Sequence, residues 1–153
     1  MRKGIALALA TTFGVGYVPF APGTFGSLAG LALWAVLPAS PAAQAVVIVA
    51  IFVAGSWSGS LAEAHYAKTD PSYVVLDEVL GMLMTLFLNP VGWGGALLGF
   101  LLFRVADIIK PFPANRLERL HGGIGVMADD LMAAIYANLA LRAVIAASNW
   151  IIG

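Results

Sequence analysis

The stretch AAQAVVIVAIFVAGSWSGSLA, Ala42 to Ala62, carries no charged side chain. A helix that crosses the hydrocarbon core of a bilayer needs roughly 20 consecutive, mostly apolar residues. This segment therefore reads as a membrane span, and a span restricts its neighbours to helices or a closed barrel. The stock of residues agrees. Hydrophobic residues make up 61% of the chain and charged residues 10%, with a mean hydropathy of +0.92. A soluble globule carries about 25% charged residues, so a water-facing surface cannot be built from this material. Eight basic residues balance eight acidic ones, which leaves no basic excess for nucleic acid. The absence of cysteine excludes disulfides, thiol chemistry and cysteine-based zinc sites. At 153 residues, 1–153 reads as a single domain. Arg2 and Lys3 precede an apolar run in the manner of a signal peptide, but YVPFAPGTFGS and more membrane-like sequence follow, so the N-terminus reads as retained.

Turn signals cut the chain into further apolar blocks at Gly4–Val18, Phe25–Leu37, Val74–Leu88, Ala96–Ile109 and Leu131–Ile152. Only Ala42–Ala62 and the last block reach span length unaided; the others do so once polar residues are admitted at their ends. No strand-like alternation recurs, which predicts an all-α polytopic membrane bundle of about five transmembrane helices. The N-terminal block adds a short interfacial helix. Two connections, PASPA and NPVGWGG, are uncharged, whereas Glu63–Tyr73 and Lys110–Met127 carry charge. Threading the blocks back and forth puts every charge except Arg142 at one face, including Arg2, Lys3, Lys68, Lys110, Arg116 and Arg119. The positive-inside rule makes that face cytoplasmic. Tryptophans 34, 57, 93 and 150 read as interface anchors.

The threading also levels the acidic residues. Asp77 and Glu78 open one outgoing helix, Arg104 and Asp107 close a returning one, and Asp129 and Asp130 open the next. Helix N-termini favour anions by roughly 0.3–1 kcal/mol each, so boundary capping is the plain structural account of these carboxylates. Two adjacent acidic pairs, however, repel one another unless a cation lies between them. Oxygen ligands without cysteine suit Mg²⁺, Mn²⁺ or Ca²⁺. Asp70, Asp77, Glu78, Asp107, Asp129 and Asp130 are the candidate ligands. In FRVADIIKPFP, Arg104, Asp107 and Lys110 follow at one-turn spacing, either as an internal ion-pair ladder or as phosphate-holding cations around Asp107. Pro111 and Pro113 end that helix. HGGIGVMADD places Gly122 and Gly123 ahead of the helix that carries Asp129 and Asp130, where backbone N–H groups can approach an anion; a flexible loop is the alternative. His121 is an acid–base candidate or a polar anchor. In GVGYVPFAPGTFGS, Thr24 or Ser27 can cap the next helix or contact phosphate.

Four of these segments, GVGYVPFAPGTFGSLAG, DPSYVVLDEVLGM, FRVADIIKPFP and HGGIGVMADDLMAA, resemble the phosphatidylglycerophosphatase A family in order and spacing, over Gly14 to about Ala134. The resemblance implies a bacterial inner-membrane, Mg²⁺-dependent phosphatase that converts phosphatidylglycerophosphate into phosphatidylglycerol and phosphate. It implies acidic site residues at Asp70, Asp77, Glu78, Asp107, Asp129 and Asp130. It implies phosphate contacts at Arg104, Lys110, Thr24, Gly122 and Gly123. Phe112 stands where the family often has tryptophan, and Glu63 is a secondary candidate outside the family pattern.

The expected chemistry is metal-assisted phosphomonoester hydrolysis at the cytoplasmic boundary, with the lipid tails left in the membrane. Membrane lipids surround the chain and nucleic acid is not a partner. Two other readings stay open. A small transporter or ion-conducting protein also carries intramembrane carboxylates, and a non-catalytic scaffold would tolerate replacing all of them.

Overall fold

The computed structural model describes residues 2–117, 120 and 122–152, and these are all-helical apart from turns. The helices are α1 (Arg2–Ala10), α2 (Pro22–Val36), α3 (Pro41–Tyr66), α4 (Leu76–Leu86), α5 (Trp93–Ile109), the single turn α6 (Ala114–Leu117) and α7 (Gly123–Ile152), with a 3₁₀ turn at Val15–Tyr17. Local chemistry sets several boundaries. Pro22 and Pro41 stand in the first turns of α2 and α3, where a missing N–H costs nothing. The Ser40 hydroxyl accepts from the Ala43 N–H at 3.4 Å as the α3 cap. Lys110 ends α5 in a left-handed conformation (φ 47°), and Pro111 cannot continue the helix.

The centre of the bundle is α4, packed by α2, α3, α5 and α7. Leu76, Asp77, Val79, Leu80, Gly81, Met82, Leu83, Thr85 and Leu86 are all buried, so this helix has no lipid-facing side. Leu31, Met82, Leu86, Phe103, Ala133, Ala137 and Leu141 make the main core around its C-terminal half. The carbonyls left over at the C-terminus of α4 are satisfied from α7. The Asn138 amide donates to the carbonyls of Met84, Thr85 and Phe87 at 3.0, 3.0 and 2.8 Å. Arg142 Nε in turn donates to Asn138 Oδ1 at 3.0 Å, which puts a cation beside a helix C-terminus. This accounts for the one charge that the threading left at the far face.

Helices approach closely through small residues, the usual device where lipid removes any hydrophobic drive between helices. Along α2, Gly23, Gly26 and Gly30 form a stripe against α4. A Cβ at Gly30 would stand 2.7 Å from Met82 Cβ and 2.9 Å from the Val79 carbonyl oxygen. Where α3 crosses α7, a Cβ at Gly59 would lie 3.1 Å from Gly123 Cα, and one at Gly123 would collide with the Ser56 carbonyl. The Phe103 ring of α5 fills the space beside Gly81, where a Cβ would collide with it, and this lets α5 approach α4.

The antiparallel order expected from the threading is present, with three differences. Two helices are long and apolar enough to cross a membrane, Pro41–Tyr66 and Gly123–Ser148. The others fall short of the roughly 20 residues of a typical span: α2 has 15 residues, α5 has 17 and α4 has 11, or about 22, 25 and 16 Å at about 1.5 Å per residue. Secondly, α7 starts at Gly123 rather than near Leu131, so Asp129 and Asp130 lie in its second turn and gain little from its N-terminal dipole. Thirdly, α2 starts at Pro22, so Thr24 and Ser27 lie inside it and neither caps it; the N-cap position is Ala21. His121 and Arg119 lie outside the described residues.

Glycine replacements should therefore separate by sign. Gly30→Ala is expected to lower the unfolding temperature in detergent, at a cost of about 1–3 kcal/mol for overpacking against backbone. Gly94→Ala, with nothing within 4 Å of its Cβ, should be neutral or stabilising by up to about 1 kcal/mol through helix propensity.

Candidate active site

Four helix ends and one loop meet at one end of the bundle around a cleft of about 260 Å³. The start of α2 contributes Ala21, Pro22 and Gly23. The loop after α3 contributes Asp70 and Ser72, and the first turn of α4 contributes Asp77 and Glu78. The last turns of α5 contribute Arg104, Asp107 and Lys110, and α7 contributes Asp129 and Asp130. Each arrives by a local cause. Burial of α4 on all sides carries Asp77 and Glu78 into the middle of the assembly. The left-handed Asp70 (φ 46°) turns the loop over the cleft. Gly23 lets α2 come down on the site, since a Cβ there would collide with the Glu78 carboxylate and stand 3.1 Å from Arg104 Nη1.

Six carboxyl groups thus face two cations, and both cations are engaged. Arg104 Nη1 donates to Asp107 Oδ2 at 2.6 Å, and Lys110 Nζ to Asp129 Oδ2 at 2.6 Å. The one-turn ladder along α5 is therefore only half internal, because Lys110 reaches across to α7. Asp77, Asp129 and Asp130 are buried, at 6, 4 and 3% exposure. Three buried carboxylate oxygens of the cleft have no hydrogen-bond partner: Glu78 Oε2, Asp129 Oδ1 and Asp130 Oδ2. Carboxylate oxygens of Asp77, Glu78 and Asp130 all lie within 4.8 Å of one another. Buried charges persist only when paired or when they coordinate a metal, so this trio has the composition and spacing of a hard-cation site.

The structure brings Asp70, Asp77, Glu78, Arg104, Asp107, Lys110, Asp129 and Asp130 together and leaves four other candidates out of the cleft lining. The Ser27 hydroxyl is fully buried and donates to the Gly23 carbonyl at 2.9 Å. Thr24 stands one residue beyond the lining, within α2. The Gly122 and Gly123 N–H groups are taken by α3, donating to Glu63 Oε2 and Ser60 Oγ, both at 2.8 Å. They satisfy a helix N-terminus internally instead of presenting it to an anion. Gly23 and Ser72 line the cleft without having been singled out. The signal for Gly23 was the Gly23–Gly26–Gly30 spacing, which puts three glycines on one helix face.

Fold and site together define an all-helical protein of membrane-type composition whose carboxylate-rich cleft sits at one end of the bundle. The chain belongs to the phosphatidylglycerophosphatase A family, whose sequence profile matches residues 8–145. A Bacteroides thetaiotaomicron protein named "Putative phosphatidylinositol-3-phosphatase" is 35% identical over 97% of this chain and 96% of its own. The phosphatidylglycerophosphatase A of Haemophilus influenzae is 37% identical over 89% and 86%, and that of Escherichia coli 34% identical over 83% and 76%. No solved structure matches.

The Lys110–Asp129 pair gives a direct test of the electrostatics. Lys110→Met takes away the cation paired with a buried carboxylate and is expected to cost about 3–5 kcal/mol. The double variant Lys110→Met/Asp129→Asn should recover most of that loss in thermal unfolding in detergent.

Proposed function

We propose that this chain is a lipid phosphatase that hydrolyses phosphatidylglycerophosphate to phosphatidylglycerol and phosphate. The observation that carries the reading is the cluster of converging, partnerless carboxylate oxygens on Glu78, Asp129 and Asp130 beside Arg104 and Lys110, in a chain of this family. The donor set fits Mg²⁺, with Asp77, Glu78 and Asp130 as its holders and Asp129 and Asp107 beside them. When bound, the ion supplies charge neutralisation for the phosphate and a more acidic bound water. The protein's own groups do the rest. Arg104 and Lys110 stand where they can stabilise charge on the transferring phosphoryl group. A cleft carboxylate takes the proton of the attacking water. Glycine at position 23 lets the start of α2 close against the Glu78 carboxylate.

The same reading makes the chain a multi-pass protein of the bacterial inner membrane, with the short helices completing about five crossings and the cleft at the cytoplasmic side. The basic residues support this, since Lys68, Lys110 and Arg116 stand on the connections at the cleft end and Arg142 beside the opposite end of α4. A conduction pathway is disfavoured, because the interior beyond the cleft is closed by Leu80, Met82, Leu86 and Phe103, all fully or almost fully buried. The Bacteroides relative favours a second substrate, phosphatidylinositol 3-phosphate. That too is a phosphomonoester on a glycerolipid headgroup and calls on the same cleft chemistry.

Purified protein should release phosphate from phosphatidylglycerophosphate in mixed micelles, lose that activity in EDTA and regain it with Mg²⁺. Asp77→Asn and Asp130→Asn are each expected to lose at least about 100-fold, on the scale of removing one strong electrostatic contact to a transition state. Full activity in both would remove the site assignment, and release from phosphatidylinositol 3-phosphate alone would select the second substrate. Because the chain has no cysteine, single cysteines report topology directly. Thr69→Cys should react with an impermeant maleimide only from the cytoplasmic side, and Ala39→Cys only from the outside.

A further inference from the structure

Glu63 lies near the end of α3 and does not line the cleft, yet its two carboxylate oxygens tie together two of the segments that do. Oε1 accepts from the Asp70 N–H at 3.1 Å, and Oε2 accepts from the Gly122 N–H at 2.8 Å. One turn earlier on the same helix, Ser60 Oγ accepts from the Gly123 N–H at 2.8 Å and donates to the Ser56 carbonyl at 2.9 Å. The Glu63 carbonyl accepts from the Lys68 N–H at 3.3 Å, which folds the loop back on the helix. Asp70 follows two residues later in a left-handed conformation (φ 46°), and Gly122 is left-handed too (φ 86°). Asp70 is thus held in a conformation that a non-glycine residue visits rarely, while glycine at 122 takes up its own readily. A carboxylate facing the first N–H groups of α7 is also favoured by that helix's dipole.

We propose that Glu63, assisted by Ser60, is a positioning residue for the hydrolytic site. It latches the α3–α4 loop to the start of α7, and so fixes Asp70 at the rim and Asp129 and Asp130 at their depth. The loop and α7, joined by this carboxylate, carry three of the six carboxyl groups in the cleft, Asp70, Asp129 and Asp130. Two donors need two acceptor oxygens. Glutamine offers one acceptor and turns an N–H towards the other donor, and alanine offers none. The loss should therefore be graded, and it should fall on turnover more than on lipid affinity because Glu63 does not touch the cleft.

The inference rests on the phosphatase reading, and the experiment keeps the two apart. Phosphate release is measured for wild type, Glu63→Gln, Glu63→Ala and Ser60→Ala, with Glu63→Gln repeated on an Asp70→Ala background. Amide hydrogen exchange is followed at Asp70 and Gly122. The expected result is a fall in kcat of about tenfold for Glu63→Gln and more for Glu63→Ala, with KM within about twofold of wild type. Ser60→Ala should show a smaller fall of the same kind. Exchange should quicken at both amides in Glu63→Gln, and the Glu63→Gln effect should shrink to threefold or less once the Asp70 carboxylate is gone. Unchanged exchange, unchanged kcat, or an undiminished effect on the Asp70→Ala background would each overturn the latch. Glu63→Gln is nearly isosteric; should it fail to fold, Ser60→Ala carries the same kcat-against-KM split and exchange criteria. An inactive wild type would instead sink the phosphatase reading, while the exchange arm would still decide whether the clamp exists.

Discussion

The structure depends on a conflict between burial and charge at the N-terminal tip of α4. A helix packed on all sides by other helices should be apolar throughout, yet its first turn carries Asp77 and Glu78. Burying an unpaired ionised carboxylate costs several kcal/mol even after relaxation, and here two buried acids from α7 face the same space. Arg104 and Lys110 relieve part of this through Asp107 and Asp129. The remaining partnerless oxygens are what the proposed cation would satisfy, so binding one would offset the cost of burying these acids.

Bringing the carboxylates this close requires backbones that approach closely as well. Oxygens from α4 and α7 come within 4.8 Å of one another, which ordinary side chains at the helix crossings would prevent. Gly23, Gly26 and Gly30 lower α2 onto α4, and the Gly55–Gly59 face of α3 receives Gly123 and Met127 of α7. Packing density, ordinarily a matter of stability, here also fixes how close the carboxylates stand. The Asn138 amide completes the frame by ending α4 after Leu86. A short central helix held at both ends cannot slide along its neighbours, so the depth of its acidic tip is fixed.

Much of this was legible in the sequence. The uncharged run of α3 announced a membrane-type helical chain, and charge placement sorted the helix ends correctly enough to level Asp77, Glu78, Arg104, Asp107, Asp129 and Asp130. Individual helix lengths were less legible, because hydropathy does not distinguish a side chain facing lipid from one facing another helix. The apolar block Val74–Leu88, expected to reach span length once polar residues are admitted at its ends, holds an 11-residue helix packed by others on all sides. The glycines before Asp129 read either as an anion-approaching turn or as a flexible loop, since sequence shows that their N–H groups exist but not that Glu63 and Ser60 already occupy them. Glu63 itself, distant in sequence from Gly122, could be connected to it only by the fold.

The position of the cleft bears on the kind of substrate it suits. A phospholipid's phosphate stands at the membrane boundary while its tails remain in hydrocarbon, so an enzyme acting on it needs polar groups at helix ends and apolar flanks beyond them. The cleft lies among the first turns of α2 and α4, the last turns of α5 and the early turns of α7, and on α5 Val105, Ile108 and Ile109 next to it are exposed. That arrangement engages a phosphomonoester without lifting the lipid out of the bilayer. On the proposed reading the same groups would engage either a glycerophosphate or an inositol phosphate headgroup, because the cleft's charged groups would address the phosphate and its cation. Discrimination between headgroup alcohols therefore falls to the small and uncharged rim, Ala21, Pro22 and Ser72. Relatives carrying different lipid names on one family scaffold are what such a division of labour allows.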